Sequence, residues 1–130
     1  MYQIGDLIVY GETGVCRVEA VGFTTQVALY MDSADVLVSK PGGISITEAG
    51  TRGVPLLLAD MVGGCETRNQ EFFTAHGWAA SCPPDNMAAS ALAFLEDEQQ
   101  RQAITAAQSR DFDGLAADRV AAAVLARCQK

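Results

Sequence analysis

Asp35-Val36-Leu37-Val38-Ser39-Lys40-Pro41-Gly42-Gly43-Ile44-Ser45-Ile46-Thr47-Glu48-Ala49 is the stretch from which the fold is read. It reads as a short buried strand, a glycine turn and the start of a helix, and that order is a geometry that binds phosphate. Gly42 and Gly43 let the backbone pass close to a ligand. The free amides of Ile44, Ser45 and Ile46 are expected to point from the helix N-terminus toward an anion. The macrodipole adds roughly 0.3–1 kcal/mol of preference for negative charge at such an exposed end. Glu48, one turn into the helix, is placed to accept hydrogen bonds from the cis hydroxyls of a ribose, as the acidic residue of dinucleotide folds does. Together these groups suit a nucleoside diphosphate. By itself the pattern also fits a plain turn with a glutamate that compensates the dipole.

Outward from this segment, apolar bursts alternate with helical stretches, the layout of βαβ units feeding a parallel sheet. Strands are expected at Asp35–Ser39, Pro55–Asp60 and Trp78–Ser81, and helices at about Gln26–Ser33, Ser45–Arg52, Glu66–His76 and Asn86–Leu95. Two more helices follow in the alanine-rich tail. Pro83-Pro84-Asp85 stops one element and caps the next, whose Met87, Ala88, Ala91, Leu92 and Leu95 share one face. Asp113-Gly114 breaks the chain before a last helix expected to bury Leu115, Val120 and Val124. Phe72, Phe73 and Trp78 read as core. His76 ends a helix just before Gly77, where it favours the negative end of the dipole. Arg68 fits either a phosphate contact or a surface ion pair.

The N-terminal texture differs. Gln3–Tyr10 and Val15–Val21 are short β-rich runs joined by Gly11-Glu12-Thr13-Gly14, a local antiparallel hairpin.

Bulk properties narrow the classes. The 130 residues fit one domain of ordinary size. The composition, 49% hydrophobic and 19% charged, is that of a globular chain, and no apolar run nears the roughly 20 residues of a membrane helix. No export signal is read at Met1–Asp6, so a cytoplasmic location is expected. Cys16, Cys65, Cys82 and Cys128 are far apart and share the chain with one histidine, so reduced thiols are expected and neither a metal centre nor a disulfide framework. With a net charge of −7 and nine scattered Lys and Arg, the basic footprint for nucleic acid is missing.

Gly22-Phe23-Thr24, Met31 with Ala34-Asp35, Ser39-Lys40-Pro41-Gly42-Gly43, Thr47-Glu48-Ala49, Gly53-Val54-Pro55 and Glu66-x-Arg68-Asn69 together resemble the C-terminal domain of family 28 glycosyltransferases. The likeness runs over residues 23–130. The Lys-Pro-Gly-Gly form is most similar to the diacylglycerol sugar transferases, with the peptidoglycan N-acetylglucosaminyltransferase further away. The resemblance implies an α/β fold, a Rossmann-like parallel sheet forming the C-terminal half of a GT-B architecture. It implies transfer of a hexose from a UDP-sugar to a lipid acceptor, with no cofactor, and peripheral association with the inner membrane face. Carried over by position, Gly42, Gly43, Ile44 and Ser45 would cradle the diphosphate, Glu48 would hold the ribose, and Glu66 and Asn69 would reach the sugar hydroxyls. It assigns no catalytic residue to this chain, because the acceptor site and general base belong to the family's N-terminal domain. These residues alone are therefore expected to bind donor with little turnover. The family usually has proline where Gly63 stands and glutamine where Cys65 stands, so the sugar-facing loop differs here.

Residues 1–22 resemble instead the start of the CarD family, whose β-barrel docks on RNA polymerase. The likeness covers two strands, whereas a small barrel needs about five. It implies a polymerase contact by strand addition at Ile4–Tyr10, the competing reading for the chain. Val15–Val21 is also expected to complete the edge of the parallel sheet.

Overall fold

The computed structural model describes residues 3–10, 14–17, 19, 21–59 and 63–128. Residues 1–2, 11–13, 18, 20, 60–62 and 129–130, among them parts of the N-terminal hairpin and the end of the Pro55–Asp60 strand, lie outside the described residues.

Leu37–Ser39 (β1), Leu56–Leu58 (β2) and Ala80–Ser81 (β3) form a parallel sheet in the order β1-β2-β3. Leu37 pairs with Leu56 and Ser39 with Leu58, while Leu57 pairs with Ala80 and Leu58 with Ser81. The central strand is apolar throughout and fully buried, as expected where helices cover both faces. Strand alternation then sorts its side chains. Leu56 and Leu58 join Met31, Ile46, Ala49, Val54, Phe73 and Ala79 on one side, and Leu57 joins Ala59, Cys82, Phe94 and Ile104 on the other.

Val27–Asp32 (α1), Gly43–Arg52 (α2) and Cys65–Ala75 (α3) supply the first layer, and Met87–Glu96 (α4) and Glu98–Asp111 (α5) the second. A short 3-10 turn at Pro84–Asn86 leads into α4. The α/β fold, with its parallel sheet and flanking helices, is the one anticipated from the sequence.

Gln108 on α5 ties the layers together. Fully buried, it donates from Nε2 to Val54 O at 3.1 Å and to Trp78 O at 2.8 Å. Trp78 packs edge-on against Phe73 and Phe112, stacks with His76 at 4.5 Å and donates Nε1–H to Asp111 at 2.8 Å. His76 closes α3 as anticipated, with its Nδ1 2.7 Å from Phe72 O. Phe72 is a correction: the residue is 53% exposed, with its ring against Phe73, His76 and Trp78 at the rim of the aromatic cluster.

Two further expectations are corrected. Ala116–Cys128 (α6) buries no residue, and Leu115, Val120 and Val124 are all at least half exposed. On α4 the buried anchor is Phe94, with Met87 and Ala91 packed beside it, whereas Ala88 and Leu92 face solvent. The N-terminal hairpin forms, with Leu7–Tyr10 antiparallel to Gly14–Arg17. It is a two-stranded sheet of its own, and none of its described residues extends the parallel sheet. Among the described residues no helix is long and apolar enough to cross a membrane.

Candidate functional site

In a parallel sheet the connections leaving the C-terminal ends of neighbouring strands meet at one edge. Here these are Lys40-Pro41-Gly42, between β1 and α2, and the connection ending in Gly63-Gly64, between β2 and α3.

Helix α2 starts two residues earlier than the sequence pattern indicates. Gly42 is its N-cap, and Ile46 N–H already donates to Gly42 O at 3.1 Å. The amides without a partner one turn back are therefore those of Gly43, Ile44 and Ser45, and the assignment of Ile46 to that set is corrected. Neither a capping side chain nor an acidic residue in the first turn answers this end, so the partial positive charge of the helix stays uncompensated within its own turn.

Asn69 Nδ2 donates to Pro41 O at 2.9 Å, fixing the glycine turn against α3. Lys40 Nζ donates to Glu66 Oε1 at 2.6 Å. A β-carbon built on Gly42 would come within 3.8 Å of Lys40 Nζ and 3.9 Å of Glu66 Oε1, and one on Gly43 within 3.8 Å of Asn69 Nδ2. Gly42, Gly43, Glu66 and Asn69, spread over two segments of sequence, thus occupy one patch.

Gly43 also borders a cleft of about 770 Å³, lined further by Asp32, Ile44, Thr47, Glu48, Thr51 and Arg52. Ile44 is 86% exposed and presents an apolar side chain beside this cleft. Glu48 lies in the second turn of α2, with Oε1 3.6 Å from Arg52 Nε. Arg52 is engaged more closely by Asp32 at 2.7 Å, and that hydrogen bond raises the guanidinium pKa further. The side chain of Ser45 is exposed and its amide belongs to the uncompensated set. Arg68 is exposed on α3. Of the seven residues that the sequence singles out, Gly42, Gly43, Ile44, Ser45, Glu66 and Asn69 lie on or beside the α2 N-terminus, and Glu48 lies one turn further along, facing Arg52. The amide cluster joins the Glu66 and Asn69 side to the Glu48 side.

The sequence does not single out Lys40, Asp32 and Arg52 as site residues. Lys40 is legible as part of the Lys-Pro-Gly-Gly run, but its partner is 26 residues away. The Asp32–Arg52 contact depends on how α1 packs on α2, for which the sequence carries no local signal. Gly63 and Gly64 have φ of +77° and +75°. Proline, locked near −65°, could not replace Gly63 in this backbone, so the departure from the family pattern at this connection is conformational as well as chemical. Among the described residues no group of three His, Cys, Asp or Glu side chains is arranged to hold a metal ion.

The family model for glycosyl transferases group 1 matches residues 14–110. The chain belongs to that glycosyltransferase family. Among its relatives is a processive diacylglycerol beta-glucosyltransferase of Bacillus pumilus, 32% identical over 89 residues, which are 68% of this chain and 23% of the relative. The Staphylococcus carnosus protein of the same name is 30% identical over 91 residues, 70% of this chain and 23% of that protein. The UDP-N-acetylglucosamine–N-acetylmuramyl-(pentapeptide) pyrophosphoryl-undecaprenol N-acetylglucosamine transferase of Tolumonas auensis is 32% identical over 89 residues, 66% of this chain and 25% of the relative. The chain thus spans about a quarter of the length of these relatives. Their names fall in the two groups that the glycine-turn and Glu66-x-Arg68-Asn69 motifs resemble. For this glycosyltransferase chain the fold and the family agree.

Proposed function

We propose that residues 23–130 are the donor-binding unit of a glycosyltransferase that moves a hexose from UDP to a lipid acceptor, with residues 1–22 an appended hairpin. In this reading the Gly42-Gly43 turn and the amides of Gly43, Ile44 and Ser45 receive the diphosphate. Glu48 accepts the ribose hydroxyls across the cleft, and Glu66 and Asn69 meet the sugar. As the glycosidic bond breaks, negative charge grows on the leaving diphosphate, and oriented amides at a helix end stabilise it without reorganising. The acceptor and its general base come from outside these residues, so these 130 residues alone bind donor with little turnover. A lipid acceptor brings with it peripheral contact with a membrane face.

The observation that carries this reading is the α2 N-terminus, which has neither a capping side chain nor a first-turn acid of its own, flanked by Glu66 and Asn69 on one side and by the Glu48 cleft on the other. Isothermal titration of the chain with UDP tests it. Binding is expected, and Glu48→Ala should weaken it by about 1–3 kcal/mol, the usual cost of losing hydrogen bonds to a charged group. A folded wild-type chain that takes up no UDP contradicts the reading.

A further inference from the structure

Lys40 follows β1 and Glu66 lies in the first turn of α3, yet Nζ donates to Oε1 at 2.6 Å. The two partners differ in their surroundings: the lysine side chain is 59% exposed and the glutamate side chain 16%. The second carboxylate oxygen, Oε2, is shut off from solvent and accepts nothing among the described residues. Oε2 is closed to a hydroxyl donor by burial, and one of the two acceptor positions of Oε1 is taken by the ammonium. An ammonium on a flexible four-carbon stem can exchange one anionic partner for another. This one lies beside Gly42, the N-cap of α2, whose own first turn carries neither a capping side chain nor an acid. A diphosphate there carries more negative charge than a carboxylate and competes for the same cation at short range.

We propose that the Lys40–Glu66 ion pair is a latch coupling the two halves of the donor: a diphosphate at the glycine turn draws Lys40 off Oε1 and so releases Glu66 to accept a hexose hydroxyl. The inference rests on the donor-site reading above and makes Lys40 a positioning residue for the sugar. Binding then has an internal order, in which the anionic part of the donor opens the contact for the neutral part.

The latch predicts that removing its carboxylate strengthens the binding of UDP, which has no sugar to lose. The test titrates the full chain with UDP as wild type, Glu66→Gln, Lys40→Met and the double variant, each first shown to melt cooperatively. Lys40→Gln is the substitute should Lys40→Met not fold. Glu66→Gln is expected to bind UDP about two- to fivefold more tightly than wild type, the range set by an exposed ion pair, and the gain should vanish when Lys40 is also replaced. UDP-glucose, run in parallel, should exceed UDP in affinity for wild type and lose that advantage in Glu66→Gln. A gain that persists without Lys40 means plain charge repulsion and overturns the latch, as does a Glu66→Gln variant that binds UDP no better than wild type. Failure of wild type itself to bind UDP removes the donor site and the latch with it.

Discussion

Helices α2 and α6 both carry apolar residues at helical spacing, yet α2 buries Ile46, Ala49 and Gly50 while α6 buries nothing. The difference lies in what each helix finds to pack against. The sheet has three strands, roughly 10 Å between the outer two, about the width of one helix. Its two faces are already covered by α1–α3 and by α4 and α5 before the chain reaches residue 116. Periodicity states what a helix can bury. Whether it does so depends on the area left, which is a property of the whole chain.

Energetic contrast between the two helices is the sharpest way to break this comparison. Ile46→Ala removes a fully buried side chain beneath the site and should lower unfolding stability by about 2–5 kcal/mol, read as the urea midpoint. Gly50→Ala should be next. Its β-carbon would stand 2.9 Å from the Phe112 ring, and overpacking of this kind costs about 1–3 kcal/mol. Replacing Phe112 by leucine in the same chain should recover part of the loss.

Asp111 marks the border between the two regions, and its effect is confined to acid. Hydrogen bonds from Arg110 and then from Trp78 pull its pKa down to about 2. Because the folded value is depressed, the contribution is present above the ordinary carboxyl range and fades as the pH falls from there toward 2. Asp111→Asn should therefore unfold at a higher pH than wild type in an acid titration followed by tryptophan fluorescence, and the two should converge below pH 2. The smallest effect is expected in α6, where Val120→Ala should stay within about 0.5 kcal/mol of wild type. A loss comparable to that of Ile46→Ala would show that α6 is packed and would remove the contrast.

These regions also differ in how far the sequence discloses them. Strand, glycine turn and helix from Asp35 to Ala49 are local, so propensity and spacing suffice to find them. The sequence pattern sets the start of α2 too late because glycine is a poor helix former, and the Gly-Gly pair looks like turn alone. The patch joining Gly42, Lys40, Glu66 and Asn69 depends on strand order and register, and only the family resemblance gathers Glu66 and Asn69 to the turn in advance. Lys40 shows what that route leaves out: its contact with Glu66 is made in three dimensions, between the β1–α2 connection and the first turn of α3. The exposed face of α6 escapes the sequence for the converse reason, since its pattern is genuine and the lack of a free face to pack on leaves no trace in local sequence.

The central claim is that the N-terminus of α2 receives the diphosphate of a nucleotide sugar, and titrating UDP into isotopically labelled chain while following amide NMR shifts tests it most directly. Saturable shifts at Gly43, Ile44, Ser45 and Glu48, with α6 unmoved, are the result expected. Shifts absent from the glycine turn, or gathered elsewhere in the fold, would contradict the account.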